Sequence, residues 1–526
     1  MGMEEYTKFY SQEVMIMMSE EKYAIVDIGS NTMRLVIYTR DKSGRLTESE
    51  NVKAVARLRN YLTAGGEMGS EGIDVLVHTL QSFQEVTRHH NLQEVKCVAT
   101  AAIRQANNQQ EIIDRVEEET DFSIRILSEY EEANYGFLAV VNSTPFKDGI
   151  TVDIGGGSTE ITFFENRKLI YFYSFPFGAL SLKQQFIKGD MPTKDELRKL
   201  RKFLQEQFAS LPWLTDKKLP LIGIGGSARN LAQVHQEYIE YPVAGIHQYM
   251  MSISEVKKMN AMLLSLDFSE VQKVEGLSKD RSDIIIPAIE VFSCLMDLIK
   301  AETFVLSRKG LRDGVFYEEL TKDFELSIFP NVMEESFYEL ASDYDINLTH
   351  AAHVSTYALM IAHELERIGL LELNEEDLKF IRLGSALYNL GTYIDAEASN
   401  QHTFYLLANR TIDGLLHKER LTVALVASFK NKEVFKRNAA LYQDWYSKEE
   451  LAKYSLFGAI VKLAYSLNAT KRNIIESVHV DPAADGLLFN VECNNDWKPE
   501  QYQAEKQKKH LEKQLKKNID FQFTLS

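Results

Sequence analysis

The sequence predicts an α/β protein whose N-terminal part contains two copies of one domain. The tetrapeptide Val-Asp-Ile-Gly occurs twice, ending at Gly29 and at Gly155, and each copy follows an apolar strand pattern and precedes a polar turn and a second alternating strand. The repeated aspartates, Asp27 and Asp153, are a domain length apart, which is too far for a short structural repeat. Further along, the pattern changes to long helices, so a helical region is expected to follow the duplicated part.

Length and composition limit the classes of protein to which the chain can belong. It has 526 residues, 45% of them hydrophobic, and a net charge of −17, so it can form several cores and is not expected to bind DNA. No apolar run is long enough to span a membrane, so no membrane partner is expected. Three widely spaced cysteines, Cys97, Cys294 and Cys493, indicate free thiols in a reducing cytoplasm.

The first domain is predicted to be one mixed sheet with helices. Apolar spacing indicates three strands, and then helices that alternate with two more strands, which is the order of an α/β domain. Ser128 is a good N-cap for the last of these helices. The predicted elements lie at 22–40, 46–62, 71–90, 95–99, 109–119, 124–127 and 128–142.

The second domain begins with the second copy of the repeat at 149–164 and continues as α/β. From about Pro330 to 470 only helices are expected, and the last segment returns to strand, strand, helix and strand. The predicted strands and helices after the repeat lie at 168–177, 194–210, 219–224, 254–265, 282–299, 304–307, 310–320, 474–480, 486–492, 499–517 and 520–525.

The turn after Asp153 combines glycines with hydroxyl and carboxyl side chains. Three glycines at 155–157 are expected to adopt positive φ and to bring backbone N–H groups close to an anion. Ser158 and Glu160 follow them around one phosphate-sized space. A triple glycine can also be a plain tight hairpin, and the pattern alone does not decide. Another glycine turn at 225–227 precedes a helix and is open to the same phosphate-binding interpretation.

Six motifs, in this order and spacing, resemble those of the exopolyphosphatase/guanosine pentaphosphate phosphohydrolase family. The resemblance implies two actin-like (ribonuclease H-like) α/β domains at 1–142 and 143–322, an all-α domain at 323–470 and a small α/β domain at 471–526. It also implies an enzyme that hydrolyses phosphoanhydride bonds. The motifs are Asp27–Thr32, Val98–Arg104, Glu131–Ala133, Asp153–Glu160, Gly223–Ser227 and Gly310–Gly314.

The same resemblance assigns roles to individual residues. Glu132 corresponds to the family's catalytic glutamate, which orients and deprotonates the attacking water, and Glu131 beside it stays a second candidate. From the residues alone, both could be first-turn acids that stabilise a helix. Asp153, Glu160 and Asp27 are expected to hold Mg²⁺ or Mn²⁺. The residues expected to bind phosphate are Ser30, Asn31, Thr32, Arg34, Arg104, Gly156, Gly157 and Ser158.

The helical region resembles HD-type metal phosphohydrolases, with a difference at the metal ligands. In that family a His-Asp pair ends a helix, and here Tyr388 and Asn389 stand at those positions. Tyrosine and asparagine are poor substitutes for imidazole and carboxylate ligands. We therefore expect an HD-like scaffold with a degenerate metal motif rather than a second active site. The histidines that remain there are His350, His353, His363 and His402.

The C-terminal helix carries lysines in an otherwise acidic chain. Such a run is typically a solvated surface. It could also bind the distal part of a long polyphosphate chain, and both interpretations stay open. The lysines are Lys506, Lys508, Lys509, Lys513, Lys516 and Lys517.

The resemblance favours a metal-dependent exopolyphosphatase that releases orthophosphate from inorganic polyphosphate. Hydrolysis of guanosine pentaphosphate is the alternative, because the two reactions share one active site in the family. A non-catalytic binding protein of the same fold is a third possibility. A nucleotide-switched scaffold or a small-molecule kinase is disfavoured by the glutamate pair at 131–132 and by Glu160. A homodimer is expected from the resemblance alone.

Overall fold

The chain divides into two compact units. The computed structural model describes residues 21–40, 46–63, 65–92, 95–321 and 327–526. The first unit comprises the chain up to Tyr241 together with Ile246–Val332, and the second comprises Pro242–Gly245 and Met333–Ser526. The domain boundaries at 142, 322 and 470 stay predictions. The first 20 residues of the predicted first domain, and residues 322–326 beside the second boundary, lie outside the described residues.

The first sheet of unit one contains the first copy of the repeat. Its strands are β1 (Glu21–Ile28), β2 (Met33–Arg40), β3 (Leu46–Ala54), β4 (Val95–Ala99) and β5 (Ile124–Ile126). They lie in the order β3-β2-β1-β4-β5, with β1–β2–β3 antiparallel and β4 and β5 parallel to β1. Asp27 at the end of β1 lies opposite Arg34 of β2.

The second sheet repeats this arrangement around the second copy. Its strands are β6 (Gly149–Ile154), β7 (Thr159–Glu165), β8 (Lys168–Phe175), β9 (Leu221–Ile224), β10 (Met250–Ser252) and β11 (Thr303–Leu306). The order β8-β7-β6-β9-β11 matches that of the first sheet strand for strand, and β10 adds an antiparallel edge. Asp153 lies opposite Glu160, so the two carboxylates share one face. The duplicated mixed α/β architecture is therefore confirmed.

Helices of unit one cover both sheets, close to the predicted positions. The capping box of Thr193 and Glu196 begins α6, for example, and its apolar side chains face the core at helical spacing. The helices are α1 (Ser70–His89), α2 (Ala101–Arg104), α3 (Gln109–Glu119), α4 (Glu129–Val141), α5 (Ala179–Phe186), α6 (Lys194–Ala209), α7 (Gly225–Tyr238), α8 (Ile253–Leu264), α9 (Phe268–Val271), α10 (Ile285–Ile299) and α11 (Leu311–Thr321), with short 3-10 helices at Leu58–Tyr61, Pro212–Leu214 and Lys279–Arg281.

Unit two is a helical array followed by a three-stranded sheet. Its helices are α12 (Val332–Asp343), α13 (Leu348–Arg367), α14 (Glu375–Ala386), α15 (Ser399–Asn409), α16 (His417–Ala427), α17 (Lys432–Ala439), α18 (Lys448–Leu467), α19 (Lys498–Gln507) and α20 (Lys509–Leu515), with 3-10 helices at Leu390–Tyr393 and Ala440–Trp445. The strands are β12 (Ile475–Ala483), β13 (Gly486–Cys493) and β14 (Asn518–Leu525), with β12 antiparallel and β14 parallel to β13.

The single helix predicted at 499–517 is interrupted at Lys508, which separates α19 from α20. The Lys508 ammonium pairs with Glu505 at 2.8 Å and lies 3.8 Å from Asp520 of β14. These contacts connect the interruption to the neighbouring strand. Among the helices of the described ranges, none is both long and apolar enough to cross a lipid bilayer.

Helices α4 and α11 of unit one approach each other through glycine. A Cβ atom added to Gly314 of α11 would lie 2.6 Å from the Tyr135 carbonyl carbon, which is backbone and cannot move independently. A Cβ atom added to Gly136, one residue further along α4, would meet only Ile224 Cδ1 at an ordinary 3.5 Å. The contact therefore requires glycine at Gly314 and tolerates alanine at Gly136.

Gly314→Ala is expected to destabilise unit one by about 2 kcal/mol or more, because the new methyl group must push two packed backbones apart. Gly136→Ala is the matched control and is expected to be neutral or to stabilise by up to about 1 kcal/mol, since alanine favours helix. Urea unfolding of both variants measures the difference. Equal stability of the two variants would contradict the close approach of α11 to Tyr135.

Candidate active site

One cavity of unit one brings both repeated turns together, and it has a volume of about 330 Å³. Most of the predicted site residues line it, whereas Glu131, Arg104 and Gly157 do not. The predicted residues that line it are Asp27, Ser30, Asn31, Thr32, Arg34, Glu132, Asp153, Gly156, Ser158 and Glu160.

The first turn, residues 29–32, has its carbonyl groups occupied by backbone donors. The Ser30 carbonyl accepts the Arg59 N–H at 3.1 Å, and the Asn31 carbonyl accepts the Arg57 N–H at 2.9 Å. The Asn31 side chain is buried, and its amide oxygen and nitrogen have no hydrogen-bond partner in the part of the chain that is described. Because an unpaired buried amide is costly, this side chain is suited to bind a polar ligand in the cavity.

The second turn, Gly155–Gly157, lies against the first. A Cβ atom added to Gly156 would lie 3.1 Å from Ser30 Cβ and 3.2 Å from Asn31 N, which is closer than ordinary packing. None of the three glycines has a positive φ, so the expectation that the turn needs left-handed backbone was wrong. Glycine is required at Gly156 by the close approach of the first turn.

Four carboxyl groups face one end of the cavity. Asp153 and Glu160 are brought together by the β6–β7 register, and Asp27 comes from the equivalent position of the first sheet. Glu132 comes from the first turn of α4, where Arg104 Nη1 donates to its Oε2 at 2.6 Å. Glu160 accepts a hydrogen bond from Ser174 Oγ at 2.9 Å.

Burial and mutual repulsion make these carboxyl groups harder to ionise. Burial, together with the charge of Asp27, raises the pKa of Asp153 to about 6. Burial raises the pKa of Glu132 to about 7, although Arg104 opposes the shift. Burial and the neighbouring Glu132 and Asp153 raise the pKa of Glu160 well above its usual value. Cations that enter this end of the cavity would therefore be stabilised.

Glu131 and Glu132 have different surroundings, which separates the two catalytic candidates. The Glu131 carboxylate accepts hydrogen bonds from the Ser128 N–H at 2.8 Å and the Ser128 hydroxyl at 2.7 Å, and it also pairs with Arg125. These bonds to Ser128 lower the pKa of Glu131. Glu131 thus caps its helix and does not line the cavity, whereas Glu132 does, and the catalytic role of either residue stays a prediction.

The other walls of the cavity are basic, and of their arginines the sequence analysis had named Arg34 as a phosphate-binding candidate but not the other four. Burial and four neighbouring arginines lower the pKa of Arg229 to about 10. Arg312 Nη1 is buried without a hydrogen-bond partner among the residues described. In the sequence, Arg229 comes just after the glycine turn at 225–227, and Arg312 lies inside the Gly310–Gly314 motif. These positions could have indicated that both arginines belong to the site. The arginines that line the cavity are Arg34, Arg229, Arg281, Arg308 and Arg312, and Lys53 joins them.

The third glycine turn is covered by side chains of its own chain. Gly225 has φ +82°, and an added Cβ would lie 2.5 Å from Asp153 Oδ1. The Arg281 guanidinium lies directly over Gly226, and its Nη1 donates to Ser227 Oγ at 3.3 Å. These contacts favour a packing role for the turn over the phosphate-binding interpretation.

Comparison with known proteins gives the family. The model of the Ppx/GppA phosphatase family matches residues 36–323, and that of Ppx/GppA phosphatase domain III matches residues 332–517. The chain belongs to the Ppx/GppA phosphatase family. The resemblance predicted from the motifs is therefore confirmed.

Two curated members of this family carry different names. Exopolyphosphatase 1 of Mycobacterium leprae is 25% identical over 308 residues, which are 57% of this chain and 90% of the relative. A guanosine-5'-triphosphate,3'-diphosphate pyrophosphatase of Photobacterium profundum is 22% identical over 410 residues, 76% of this chain and 79% of the relative.

Solved structures of the family share the fold. The Aquifex aeolicus Ppx/GppA family member is 26% identical to this chain, with a TM-score of 0.51. The alignment covers 59% of this chain and 100% of the Aquifex aeolicus chain. An exopolyphosphatase from Cytophaga hutchinsonii is 22% identical with a TM-score of 0.53, again over 59% of this chain and all of that one.

The donor set of the cavity suits a hard divalent ion. Asp27, Asp153 and Glu160 offer carboxylate oxygens whose mutual repulsion a cation would relieve. In the described ranges, no three His, Cys, Asp or Glu side chains converge closely enough to chelate an ion by themselves. This arrangement fits Mg²⁺, which is commonly held by one or two carboxylates, waters and substrate phosphates rather than by a protein cage.

The residues of unit two that were compared with HD-type metal ligands make contacts within the protein. The Tyr388 hydroxyl donates to the Phe429 carbonyl at 3.2 Å, and Asn389 Oδ1 accepts from Ser399 Oγ at 3.3 Å. His350 Nδ1 lies 3.0 Å from Asn468 Nδ2. Tyr388, Asn389 and His350 thus take part in packing their own unit.

Asp153→Asn should stabilise the metal-free protein at alkaline pH. The folded-state pKa of Asp153 lies above its unfolded value, so its ionisation lowers stability as pH rises from about 4 through about 6. Removing the charge is expected to raise the unfolding temperature by about 2 °C or more at pH 8, and the gain should shrink towards pH 4. Scanning calorimetry in EDTA measures both values.

Asp195→Asn is the matched control, because hydrogen bonding and charge from Lys199 lower the pKa of Asp195. It should give no gain at pH 8. Adding Mg²⁺ should raise the unfolding temperature of the wild type more than that of Asp153→Asn. A metal-free Asp153→Asn protein less stable than wild type at pH 8 would show that repulsion does not govern this site.

Proposed function

We propose that this protein is a metal-dependent exopolyphosphatase, which removes the terminal phosphate of inorganic polyphosphate as orthophosphate. The observation that carries the proposal is the charge distribution of one cavity: buried carboxyl groups at one end, and five arginines along the remaining walls. An arginine fork matches phosphate oxygens. A chain of phosphates can therefore bind along the arginines while its end reaches the acidic side chains.

Glu132 is the proposed general base. A water between Glu132 and the terminal phosphorus attacks that phosphorus, its proton passes to Glu132, and the bond to the bridging oxygen breaks, which leaves a chain shorter by one phosphate. Arg104 orients the Glu132 carboxylate through the 2.6 Å hydrogen bond. A base with a pKa of about 7 is suited to accept a proton near neutral pH.

The remaining predicted residues bind and orient the substrate. Ser30, Asn31 and Thr32 lie beside Gly156 and Ser158 in the lining of the cavity, so donors from both turns can hold the terminal phosphoryl group. We propose that Asp153, Glu160 and Asp27 hold Mg²⁺ or Mn²⁺ there. When bound, the ion would supply positive charge that neutralises the phosphoryl oxygens.

Hydrolysis of guanosine pentaphosphate is the second candidate. It is favoured by the Photobacterium profundum relative, which is named for a guanosine nucleotide and covers 76% of this chain. If the guanosine were to lie at the turn of Gly225 and Gly226, the Arg281 guanidinium over Gly226 would occupy its place. This contact is the reason for ranking polyphosphate first.

Finer features of the fold are also proposals. We propose that the two sheets of unit one are actin-like domains, supported by their matching strand orders, and that the helices of unit two form an HD-like scaffold. We further propose a cytoplasmic homodimer. The three free cysteines support the compartment.

The lysines of unit two support a role in holding long polyphosphate. Lys462 Nζ lies 3.1 Å from His510 Nε2, and Lys430 and Lys509 are close enough that their charges, with burial as the larger cause, lower the pKa of Lys462 to about 8. Such a concentration of positive charge attracts polyanions. Lys508 is engaged by Glu505 and contributes less.

Orthophosphate release from long-chain polyphosphate and from guanosine pentaphosphate, each with Mg²⁺ or Mn²⁺, tests the function directly. We expect turnover of polyphosphate to exceed that of the nucleotide by about tenfold or more, because the five arginines that line the cavity can bind successive phosphates of a long chain. A reversed preference would make the nucleotide the substrate. Absence of release from both, in correctly folded protein, would indicate a binding protein.

Glu132→Gln should lower turnover of the preferred substrate by about 100-fold or more, because glutamine cannot accept the proton. Binding of tripolyphosphate, measured by calorimetry, should persist. For the wild type, kcat/KM should rise with pH through about 7, because Glu132 must be ionised to act as a base.

Glu131→Gln is the matched control for this substitution. It should keep turnover within a few-fold of wild type, since its carboxylate bonds to Ser128 outside the cavity. The weakened cap should cost about 1 kcal/mol of stability. Loss of turnover in Glu131→Gln with retention in Glu132→Gln would exchange the two roles.

A further inference from the structure

The segment between β11 and α11 brings several residues to the cavity. Arg308 and Gly310 lie in this segment and line the cavity, as do Leu311 and Arg312 at the start of α11. Arg308 is the exposed member of this group, so its side chain lies at the mouth of the cavity, where the cavity opens to solvent. In the described ranges, no ion pair or side-chain hydrogen bond engages its guanidinium. Its charge is therefore available to a ligand at the mouth.

The Arg308 charge acts on the basic wall of the cavity rather than on its acidic end. Burial and neighbouring arginines, Arg308 among them, lower the pKa of Arg229, which also lines the cavity. At the acidic end, burial raises the pKa of Asp153, and the arginines whose charges oppose this shift are Arg281 and Arg312. Arg308 is thus placed to bind a phosphate towards the mouth rather than the phosphate that is transferred.

The backbone at Arg308 is held by hydrogen bonds to two other parts of unit one. The Ser307 N–H donates to the Gly223 carbonyl of β9 at 2.9 Å. The Arg308 N–H donates to the imidazole Nδ1 of His247 at 3.0 Å. A backbone N–H without a partner is costly inside a protein, so His247 is the side chain that fixes the backbone at Arg308 itself.

Both ring nitrogens of His247 are hydrogen-bonded, which fixes the tautomer. A backbone N–H can only donate, so Nδ1 is the acceptor for Arg308 and the ring proton lies on Nε2. Nε2 then donates to the Ser143 carbonyl at 2.9 Å. The side chain is buried, and burial lowers the pKa of His247 to about 4. The ring therefore stays neutral and keeps this tautomer at neutral pH.

Ser143 connects the imidazole to the helix that carries Glu132. The Ser143 hydroxyl donates to the Ala139 carbonyl at 2.6 Å, and its N–H donates to the Val140 carbonyl at 3.2 Å, so it is fixed to the end of α4. Glu132 lies in the first turn of α4, about 16 Å away along the helix axis. The His247 ring thus links the far end of this helix to the segment that carries Arg308.

We infer that His247 is a positioning residue for substrate binding: by accepting the Arg308 N–H, it orients Arg308 to bind a phosphate of the substrate chain at the mouth of the cavity. The inference rests on the proposed function, because that reaction supplies a polyanion longer than one phosphate. His247 does not line the cavity, so it acts through Arg308. Since Glu132 lies at the other end of α4, the effect concerns binding and not the chemical step.

Two substitutions at His247 separate its two hydrogen bonds. His247→Gln places an amide where Nε2 lies, so it keeps the bond to Ser143 and loses the acceptor for Arg308. His247→Asn places an amide where Nδ1 lies, so it keeps the acceptor and loses the bond to Ser143. Each variant loses one buried hydrogen bond, so their unfolding temperatures should fall by similar amounts, and each is the control for the other.

Calorimetric binding of tripolyphosphate with Mg²⁺ tests the inference, in full-length protein that carries Glu132→Gln so that the ligand is not consumed. His247→Gln should weaken binding by about threefold or more, whereas His247→Asn should stay within about 1.5-fold. Arg308→Met should weaken binding at least as much as His247→Gln does. In protein with Glu132 intact, His247→Gln should raise KM for polyphosphate by a similar factor and leave kcat within about twofold.

Combining His247→Gln with Arg308→Met separates positioning from a purely structural role. Because His247 acts through Arg308, the double variant should bind tripolyphosphate as weakly as Arg308→Met and no more weakly. Added salt should reduce the difference between His247→Gln and the parent protein, since salt screens an exposed cation. His247→Leu, which removes both hydrogen bonds, takes the place of His247→Gln if that variant does not fold.

Unchanged affinity in His247→Gln or in Arg308→Met overturns the inference, as does a loss in the double variant equal to the product of the two single losses. His247→Asn that binds as weakly as His247→Gln also overturns it, because the bond to Ser143 would then be the one that matters. If tripolyphosphate binding depends on His247 and Arg308 but neither polyphosphate nor guanosine pentaphosphate is hydrolysed by protein with Glu132 intact, the proposed function fails and the role of His247 stands.

Discussion

The packing of like charges into one small cavity is the constraint on which the candidate site depends. Asp153 and Glu160 repel each other and Glu132 at one end, while Arg229 and its neighbours repel one another along the walls. Each group is harder to charge than it would be in water, so the metal-free site stores unfavourable free energy. A cation at the acidic end and a polyanion along the arginines would relieve both, which couples ligand binding to stability.

Close contact between two hairpin turns holds these groups in place. The turns of the first hairpin of each sheet, β1–β2 and β6–β7, line the cavity, and the two hairpins occupy equivalent positions in their strand orders. Glycine at Gly156 lets the second turn lie against Ser30 and Asn31, so donors from both sheets face the same small volume. The duplication of the domain therefore lets two equivalent turns line one cavity.

Within that site, similar residues have different tasks because of their neighbours. Glu131 caps a helix through Ser128, whereas Glu132, one residue later, is buried beside Arg104. The difference between Glu131 and Glu132 therefore comes from their hydrogen-bond partners and not from residue type.

The sequence by itself determined the family, the duplicated α/β order and most of the cavity lining, because these depend on local patterns around Asp27 and Asp153. It could not distinguish Glu131 from Glu132, since the capping bonds to Ser128 and the pair with Arg104 depend on where α4 begins relative to α2. The basic walls also needed the tertiary structure. Their arginines lie far apart along the chain, and only the folding of the two sheets around one cavity brings their charges close enough to repel.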